Sequence, residues 1–355
     1  MDRRQFIKNT GICACALCAG CNVFAQSSKQ QEDDFIYRHK SDLPKKISID
    51  ACTICQLKCP QCWRVTEPTL FDLGYLKFDD FKNFIDKYDI EKVELSNKGE
   101  IFLNPELSEI IKYAHEKDIA YSAANGVNGN YLTDDMAELL VKTQCRELTF
   151  SIDGATNDVY KIYRVGGNLD KVLENLKKVL FYKNKYSSQY PFVSYKFIVF
   201  GHNEHEIPLA KELAKKLGVP ILFNTNYAPW YSPVKNKKFV EEQTGLHFDD
   251  MTDQYISDWV SGKSNWFPCK TLWDDPVINF DGKFLGCCLG TNRKNFGNLN
   301  IFKQGYLKVM NDKNIRYAKK MLKYDYPPKD EIPCTNCDMD IYNRLKKYNQ
   351  EIFKG

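Results

Sequence analysis

Cysteine side chains carry the clearest chemistry in this chain of 355 residues, which holds 14 of them. All but Cys145 fall into three groups along the sequence. Thiolates at short spacing bind iron or zinc, and in a long chain rich in strand and helix patterns they indicate metal ligands rather than disulfides. The groups are Cys13, Cys15, Cys18 and Cys21, then Cys52, Cys55, Cys59 and Cys62, and finally Cys269, Cys287, Cys288, Cys334 and Cys337.

The second group has the spacing Cys55-x3-Cys59-x2-Cys62, on a loop that follows the first predicted strand. Three thiolates on one tight loop can hold three irons of a cubane and leave the fourth iron open. The alternative is a structural zinc site, because Cys52 adds a second C-x2-C pair and four thiolates suit zinc. The segments that follow these cysteines favour the cubane.

Polar segments follow the next three predicted strands, each at the carboxyl end of its strand. The segment 97–100 (NKGE) ends the second strand, Asn125-Gly126 ends the third, and 151–154 (SIDG) ends the fourth, with Arg164 thirteen residues after Ser151. In a parallel barrel these strand ends meet on one face, where active sites are built. A guanidinium on that face can pair with the carboxylate of a ligand.

In this order, the cysteine motif and the three segments resemble the radical S-adenosylmethionine superfamily, over residues 46 to about 340. The resemblance implies a [4Fe–4S] cluster on Cys55, Cys59 and Cys62, with S-adenosylmethionine on the open iron. One electron then cleaves this cofactor and yields a 5′-deoxyadenosyl radical. The residues implied in binding the cofactor are Gly99, Glu100, Asn125, Ser151 and Arg164.

Two positions near these residues depart from the pattern of that superfamily. Lys98 stands where the family has the first glycine of its Gly-Gly-Glu segment. Gln61 stands before the last cysteine, where the family has an apolar side chain that packs on adenine. Trp63 is the aromatic residue nearest to that position, and it is the candidate to replace the adenine contact.

The third group of cysteines resembles the auxiliary-cluster domain called SPASM, or its shorter form, twitch. The matching residues are Cys269, Cys287 five residues after Gly282, and the pair Cys334-x2-Cys337. The resemblance implies a second, fully coordinated [4Fe–4S] cluster on these four cysteines, and a zinc ribbon is the alternative. The pair Asp281-Gly282 between alternating apolar runs predicts a β-hairpin that carries Cys287 back toward Cys269.

A fully coordinated auxiliary cluster indicates the type of reaction. It offers no open iron, so we expect it to accept the electron of an oxidised substrate radical, which favours dehydrogenation. The cysteine spacing is similar to that of 2-deoxy-scyllo-inosamine dehydrogenases. We therefore expect oxidation of a small hydroxylated molecule, sugar-like or cyclitol-like, with a flavodoxin- or ferredoxin-like electron donor. The alternatives are a radical maturase that modifies a peptide or protein side chain, and a non-enzymatic iron–sulfur electron-transfer protein. No catalytic base is predicted.

The N-terminal residues predict an export signal. Arg3-Arg4, followed by Phe6, Ile7 and Lys8, resembles a twin-arginine signal, and the small and apolar residues 11–25 are too few to span a membrane. This implies the twin-arginine translocase as a partner and a location in the cell envelope or periplasm. The alternative location is cytoplasmic, where S-adenosylmethionine is made. A ferredoxin-like cluster on the first cysteine group is the other interpretation of this segment.

Six short apolar runs alternate with amphipathic helices in the first two thirds of the chain. Strands separated by such helices pair in parallel through right-handed crossovers, which predicts a partial (β/α)6 barrel. A doubly wound sheet has the same periodicity and stays open as an alternative. The clearest helix follows a capping Asn168 and places Leu169 and Leu176 on one stripe. The predicted strands are 47–51, 92–95, 120–124, 148–152, 192–199 and 219–224.

Composition sets the outer limits of the interpretation. Hydrophobic residues make up 43% of the chain, enough for a sizeable core. The formal charge of +4 comes from 50 basic and 46 acidic residues without a basic block, so nucleic acid is not an implied partner.

The predicted organisation is a signal segment (1–25), a flexible leader (26–45), a radical S-adenosylmethionine core (46–228), a linker (229–265), an auxiliary-cluster domain (266–340) and a C-terminal helix (341–355).

Overall fold

Six parallel β-strands form the sheet that positions the candidate site. The computed structural model describes residues 35–70, 72–226, 230–248, 271–287, 296–324 and 326–336. All six predicted strands are confirmed, with ends that differ by a few residues. They are β1 Lys46–Ile49, β2 Lys92–Glu94, β3 Ala120–Val127, β4 Glu147–Ser151, β5 Phe192–Val199 and β6 Ile221–Thr225.

Each of these strands pairs in parallel with the strand before it in the chain. The sheet therefore runs from β6 to β1 without a reversal of order. A doubly wound sheet reverses its strand order at a switch point, so this order excludes it. The predicted partial (β/α)6 barrel is confirmed.

Helices on the crossovers bury one stripe each against the sheet. In the helix Leu169–Lys185 the buried side chains include Leu169, Val172 and Leu176, and the Asn168 side chain accepts a hydrogen bond from the N–H of Lys171, as predicted. The helices that the structure describes are α1 Trp63–Thr66, α2 Phe78–Ile85, α3 Leu107–Glu116, α4 Asp134–Lys142, α5 Asn157–Tyr163, α6 Leu169–Lys185, α7 Ile207–Leu217, α8 Lys237–Thr244, α9 Thr271–Asp274, α10 Ile301–Gln304, α11 Tyr306–Met310 and α12 Lys313–Tyr324.

The predicted hairpin around Asp281-Gly282 is present. Strands β7 Val277–Ile278 and β8 Phe284–Gly286 pair antiparallel, and Gly282 has a φ of +83°, which a tight turn requires of glycine. One pairing was not predicted: β7 of the hairpin also pairs in parallel with β1. It thus extends the open edge of the barrel sheet.

One continuous hydrophobic core contains most of the buried apolar side chains of the barrel together with buried side chains of the described residues after 270. Tyr306 of α11 packs edge-to-face on Phe84 of α2 and on Tyr88. The boundary predicted between 265 and 266 stays a prediction, and so does the C-terminal helix 341–355, which lies outside the described residues.

The predicted signal segment and the first cysteine group also lie outside the described residues, so export stays a prediction. Among the helices that the structure describes, none is long and apolar enough to cross a membrane.

Candidate active site

Cys55, Cys59 and Cys62 line one cavity of about 350 Å³ at the carboxyl ends of the strands. They lie on the loop between β1 and α1, with Cys62 directly before the helix. The apolar side chains of Leu57, Tyr163 and Phe200 form a buried cluster with Cys59, which packs one side of the loop away from water. The structure therefore brings the three predicted iron ligands together.

Hydrogen bonds hold the backbone of this loop in shape. The guanidinium of Arg64 donates from Nη2 to the carbonyls of Cys55 and Leu57, both at 2.9 Å. The N–H of Cys62 donates to the carbonyl of Cys59 at 3.0 Å. These bonds place the thiols before any metal binds, so less ordering is required when it does.

Burial acts on the acidity of the thiols. It raises the pKa of Cys55, and it raises the pKa of Cys59 to about 11, because a thiolate loses hydration in this site. Burial therefore favours the protonated form of both thiols. Bound iron would supply positive charge that stabilises the thiolates, and the thiols would then release their protons.

Cys52, the fourth cysteine of this group, is separate from the cavity. It is fully buried, its Sγ donates to the carbonyl of Ile54 at 3.6 Å, and it is not among the residues that line the cavity. In the ranges that the structure describes, no three His, Cys, Asp or Glu side chains converge on the site of a single metal ion. Each cluster thiolate binds a different iron, so this geometry fits a cubane on three cysteines better than a four-thiolate zinc site.

Of the five residues predicted to bind the cofactor, four line the same cavity: Gly99, Asn125, Ser151 and Arg164. Gly99 has a φ of +67°, and a Cβ there would lie 2.2 Å from the carbonyl oxygen of Cys52. Only glycine fits so close to that backbone. At the position of the other family glycine, the N–H of Lys98 donates to the Asp50 carboxylate at 2.8 Å, so it is not offered to the cavity.

Glu100, the fifth predicted residue, lies behind the cavity wall rather than in it. Its side chain is fully buried, and its carboxylate accepts the N–H of Asn128 at 2.6 Å and that of Phe102 at 3.4 Å. Burial raises the pKa of Glu100 to about 7. The carboxylate thus ties the segment after β2 to the segment after β3, which a motif match alone does not show.

Arg164 reaches the cavity from the carboxyl end of α5. Its Nε donates to the Asp153 carboxylate at 2.5 Å, and Asp153 is fully buried. The other carboxylate oxygen of Asp153 accepts the N–H of Ile198 in β5. Nη1 of Arg164 lies 3.9 Å from Sγ of Cys59. The buried ion pair fixes a guanidinium beside the cysteine loop, where it can meet a ligand carboxylate.

Residues 50–221 match the sequence profile of the Radical SAM superfamily. The chain carries a radical SAM domain. Domains of this superfamily imply a [4Fe–4S] cluster and S-adenosylmethionine, and the three thiols on one cavity fit such a cluster.

Known proteins also resemble the chain. The chain is 25% identical over 192 residues to the mycofactocin maturase MftC of Mycobacterium ulcerans. The aligned part is 52% of this chain and 48% of MftC. The chain therefore spans about half the length of this curated relative. SuiB of Streptococcus suis, solved with S-adenosylmethionine, has a TM-score of 0.60 at 13% identity, over 95% of this chain and 80% of SuiB. The protein anSMEcpe with bound AdoMet has a TM-score of 0.52 at 14% identity, over 84% and 87% of the two chains. These two likenesses show the fold.

Lys196 is a residue of the candidate site that the sequence analysis did not single out. It extends from β5 into the cavity, and its ammonium donates to the carbonyl of Asn125. A Cβ on Gly126 would lie 2.3 Å from Oγ of Ser151 and 3.0 Å from Nζ of Lys196, so both polar groups converge on that glycine. Burial, followed by the charge of Arg164, lowers the pKa of Lys196. A lone charged residue within the apolar strand FVSYKFIV was the available signal.

The four predicted ligands of the auxiliary cluster are only partly described. Cys287 directly follows β8, and Cys334 lies in the short 3-10 helix Pro333–Asn336. Cys269 and Cys337 lie outside the described residues. The second cluster and the choice between SPASM and twitch therefore stay predictions.

Proposed function

We propose that the chain is a radical SAM enzyme that modifies a side chain of a peptide or protein. The observation that carries the radical chemistry is the single cavity on which the Cys55, Cys59 and Cys62 thiols, the Ser151 hydroxyl and the Arg164 guanidinium meet. When bound there, a reduced [4Fe–4S] cluster supplies the electron that cleaves S-adenosylmethionine.

The residues of the chain prepare that site. Arg64 holds the cysteine loop through two carbonyls, and Gly99 lets the backbone of the neighbouring segment approach the loop closely. Tyr163 and Leu57 exclude water from one side, which protects a reactive radical from side reactions. Arg164, fixed by Asp153, presents a guanidinium to the carboxylate of the cofactor.

The peptide substrate is proposed from the relatives. MftC is named a maturase, and SuiB has also been solved bound to the precursor peptide SuiA. Oxidation of a small hydroxylated molecule, our first expectation from the sequence, has less support. The printed names of these two relatives refer to a maturase and to a precursor peptide, and neither refers to a sugar or a cyclitol.

We also propose an auxiliary [4Fe–4S] cluster on Cys269, Cys287, Cys334 and Cys337, and a flavodoxin- or ferredoxin-like electron donor. Export through the twin-arginine translocase is proposed from the sequence of the N-terminal segment, Arg3-Arg4 followed by Phe6, Ile7 and Lys8. The Asp281-Gly282 turn supports the cluster, since it places Cys287 at the end of an ordered strand.

The test is turnover by the anaerobically reconstituted, full-length protein with S-adenosylmethionine and a strong reductant. Short peptides encoded beside its gene are compared with a panel of sugars and cyclitols, and each mixture is analysed by mass spectrometry. We expect a peptide whose mass changes in step with 5′-deoxyadenosine release. Coupled conversion of a cyclitol or sugar, with every peptide unchanged, would overturn the proposed substrate class.

A further inference from the structure

Asn128 presents a hydrogen-bond donor to one of the predicted iron ligands. It follows β3, and its side chain is 5% exposed. Its Nδ2 lies 3.4 Å from Sγ of Cys55. None of the motifs found in the sequence includes this residue, and it lines the same cavity as the thiols.

The neighbours of Asn128 determine which end of its amide faces the sulfur. Oδ1 of Asn128 accepts the backbone N–H of Asn130 at 3.0 Å and Nε2 of Gln56 at 2.8 Å. A backbone N–H can only donate, so the reversed amide would set two donors against each other. The Nδ2 hydrogens must therefore point to the side of Cys55 and Gln56.

Further bonds keep the amide in place. The backbone N–H of Asn128 donates to the buried carboxylate of Glu100 at 2.6 Å. The Asn130 side chain donates to Oδ1 of Asn128 at 3.1 Å and accepts the N–H of Asn168 at 2.9 Å. Asn128 cannot turn away from the sulfur without breaking several of these buried bonds, each of which is costly to leave unmade.

A sulfur bound to iron keeps lone pairs that accept hydrogen bonds. Donors to the sulfurs of an iron–sulfur cluster stabilise its reduced form, which carries one more negative charge, and so raise its reduction potential. The effect is larger in a buried site of low dielectric constant. Arg164 is a further side-chain donor near a thiol of the loop, at a longer 3.9 Å from Cys59.

We propose that Asn128 is a positioning residue whose hydrogen bond to the Cys55 sulfur raises the reduction potential of the radical SAM cluster. The inference rests on the proposed function, since it requires iron on Cys55. It assigns to Asn128 a role in how readily the cluster accepts its electron.

The test is a redox titration of the reconstituted protein in which the electron paramagnetic resonance signal of the reduced cluster is recorded at each potential. The protein carries Cys334→Ala and Cys337→Ala, so that the proposed auxiliary cluster contributes no signal. Asn128→Leu keeps the size of the side chain and removes the donor. We expect its reduction equilibrium constant to fall at least tenfold, which for one electron is about 59 mV. The matched control is Asn104→Leu, the same change at a buried asparagine whose amide donates to the carbonyls of Ala51 and Leu76 and which does not line the cavity. It should keep the potential of the wild type.

Equal potentials in Asn128→Leu and the wild type would overturn the inference, as would an equal fall in Asn104→Leu. If the Asn128 variant does not hold iron, the wild-type protein is prepared with isotope-labelled asparagine. Pulsed electron paramagnetic resonance should then detect an asparagine nitrogen coupled to the reduced cluster. Absence of this coupling would reject the hydrogen bond. A wild type that binds no cluster on Cys55 would instead refute the proposed function itself.

Discussion

Gly99 shows, at the scale of single residues, how the backbone limits what the cysteine loop tolerates. A side chain there would overlap the carbonyl of Cys52 and the backbone of Thr53. Gly218, which caps α7, has a similar φ of +70°, but a Cβ on it would meet no atom within 4 Å. The two glycines share their conformation and differ in the space around them.

We predict that Gly218→Ala costs about 1–2 kcal/mol of unfolding free energy, because it only introduces a left-handed alanine. Gly99→Ala should cost about 1–3 kcal/mol more than Gly218→Ala, because the loop must also shift. It should also weaken the binding of S-adenosylmethionine. Chemical denaturation under anaerobic conditions measures the first effect and calorimetry the second. Equal losses of stability in the two variants would show that the close contact at Gly99 is absent.

Residues at this scale were predictable where they belong to the motifs that carry the resemblance to the superfamily. The three cysteines, Ser151 and Arg164 all reach the cavity as expected. Glu100 was predicted to bind the cofactor, but the direction of its side chain depends on backbone donors from a distant segment. Lys196 and Asn128 were missed because their roles appear only when β3 and β5 bring them to the loop.

At the scale of elements, α12 contains a buried lysine that its sequence does not mark. Lys319 is fully buried; its ammonium donates to the hydroxyl of Tyr37 at 2.8 Å and lies 5.8 Å from the ring centre of Trp273. Burial lowers the pKa of Lys319 to about 7. The neutral amine is therefore favoured in the folded state above neutral pH.

This depressed pKa predicts how stability depends on pH. An unfolded lysine titrates near 10.4, so between about pH 7 and 10 the unfolded state binds more protons and stability rises with pH, by up to about 1.4 kcal/mol for each pH unit. Lys319→Met should remove this rise. Melting of the reconstituted wild type and variant at pH 7 and 9.5 measures it.

Lys313→Met is the matched control, because Lys313 begins the same helix and is exposed. Its stability should change with pH as that of the wild type does. If Lys319→Met also follows the wild type across the whole range, Lys319 is charged in the folded protein and the assignment is wrong.

Elements were predicted well where the pattern is local. Short apolar runs between amphipathic helices predicted the six strands β1 to β6, and Asp281-Gly282 predicted the hairpin. The pairing of β7 with β1 was not predicted, because a hairpin pattern does not say which sheet edge it joins.

At the scale of the whole molecule, the predicted auxiliary cluster should be separable from the first one. Removing Cys334 and Cys337 together should lower iron from roughly eight to roughly four per chain, as two cubanes become one. S-adenosylmethionine cleavage should persist, because the thiols of the barrel cavity are untouched. Iron and zinc analysis with Mössbauer spectroscopy measures this.

The matched comparison uses Cys145→Ala, a fully buried cysteine outside the three groups, which should keep the iron of the wild type. A wild type with about four irons and one zinc would mean that the C-terminal cysteines form a zinc ribbon.

The central claim is that Cys55, Cys59 and Cys62, without Cys52, hold the cluster that cleaves S-adenosylmethionine. The most direct test compares Cys59→Ser with Cys52→Ser, the same change at two buried thiols of one loop, after anaerobic reconstitution. We predict that Cys52→Ser retains its cluster and releases 5′-deoxyadenosine with a strong reductant, whereas Cys59→Ser does neither. Loss of the cluster in Cys52→Ser, together with its retention in Cys59→Ser, would contradict the account.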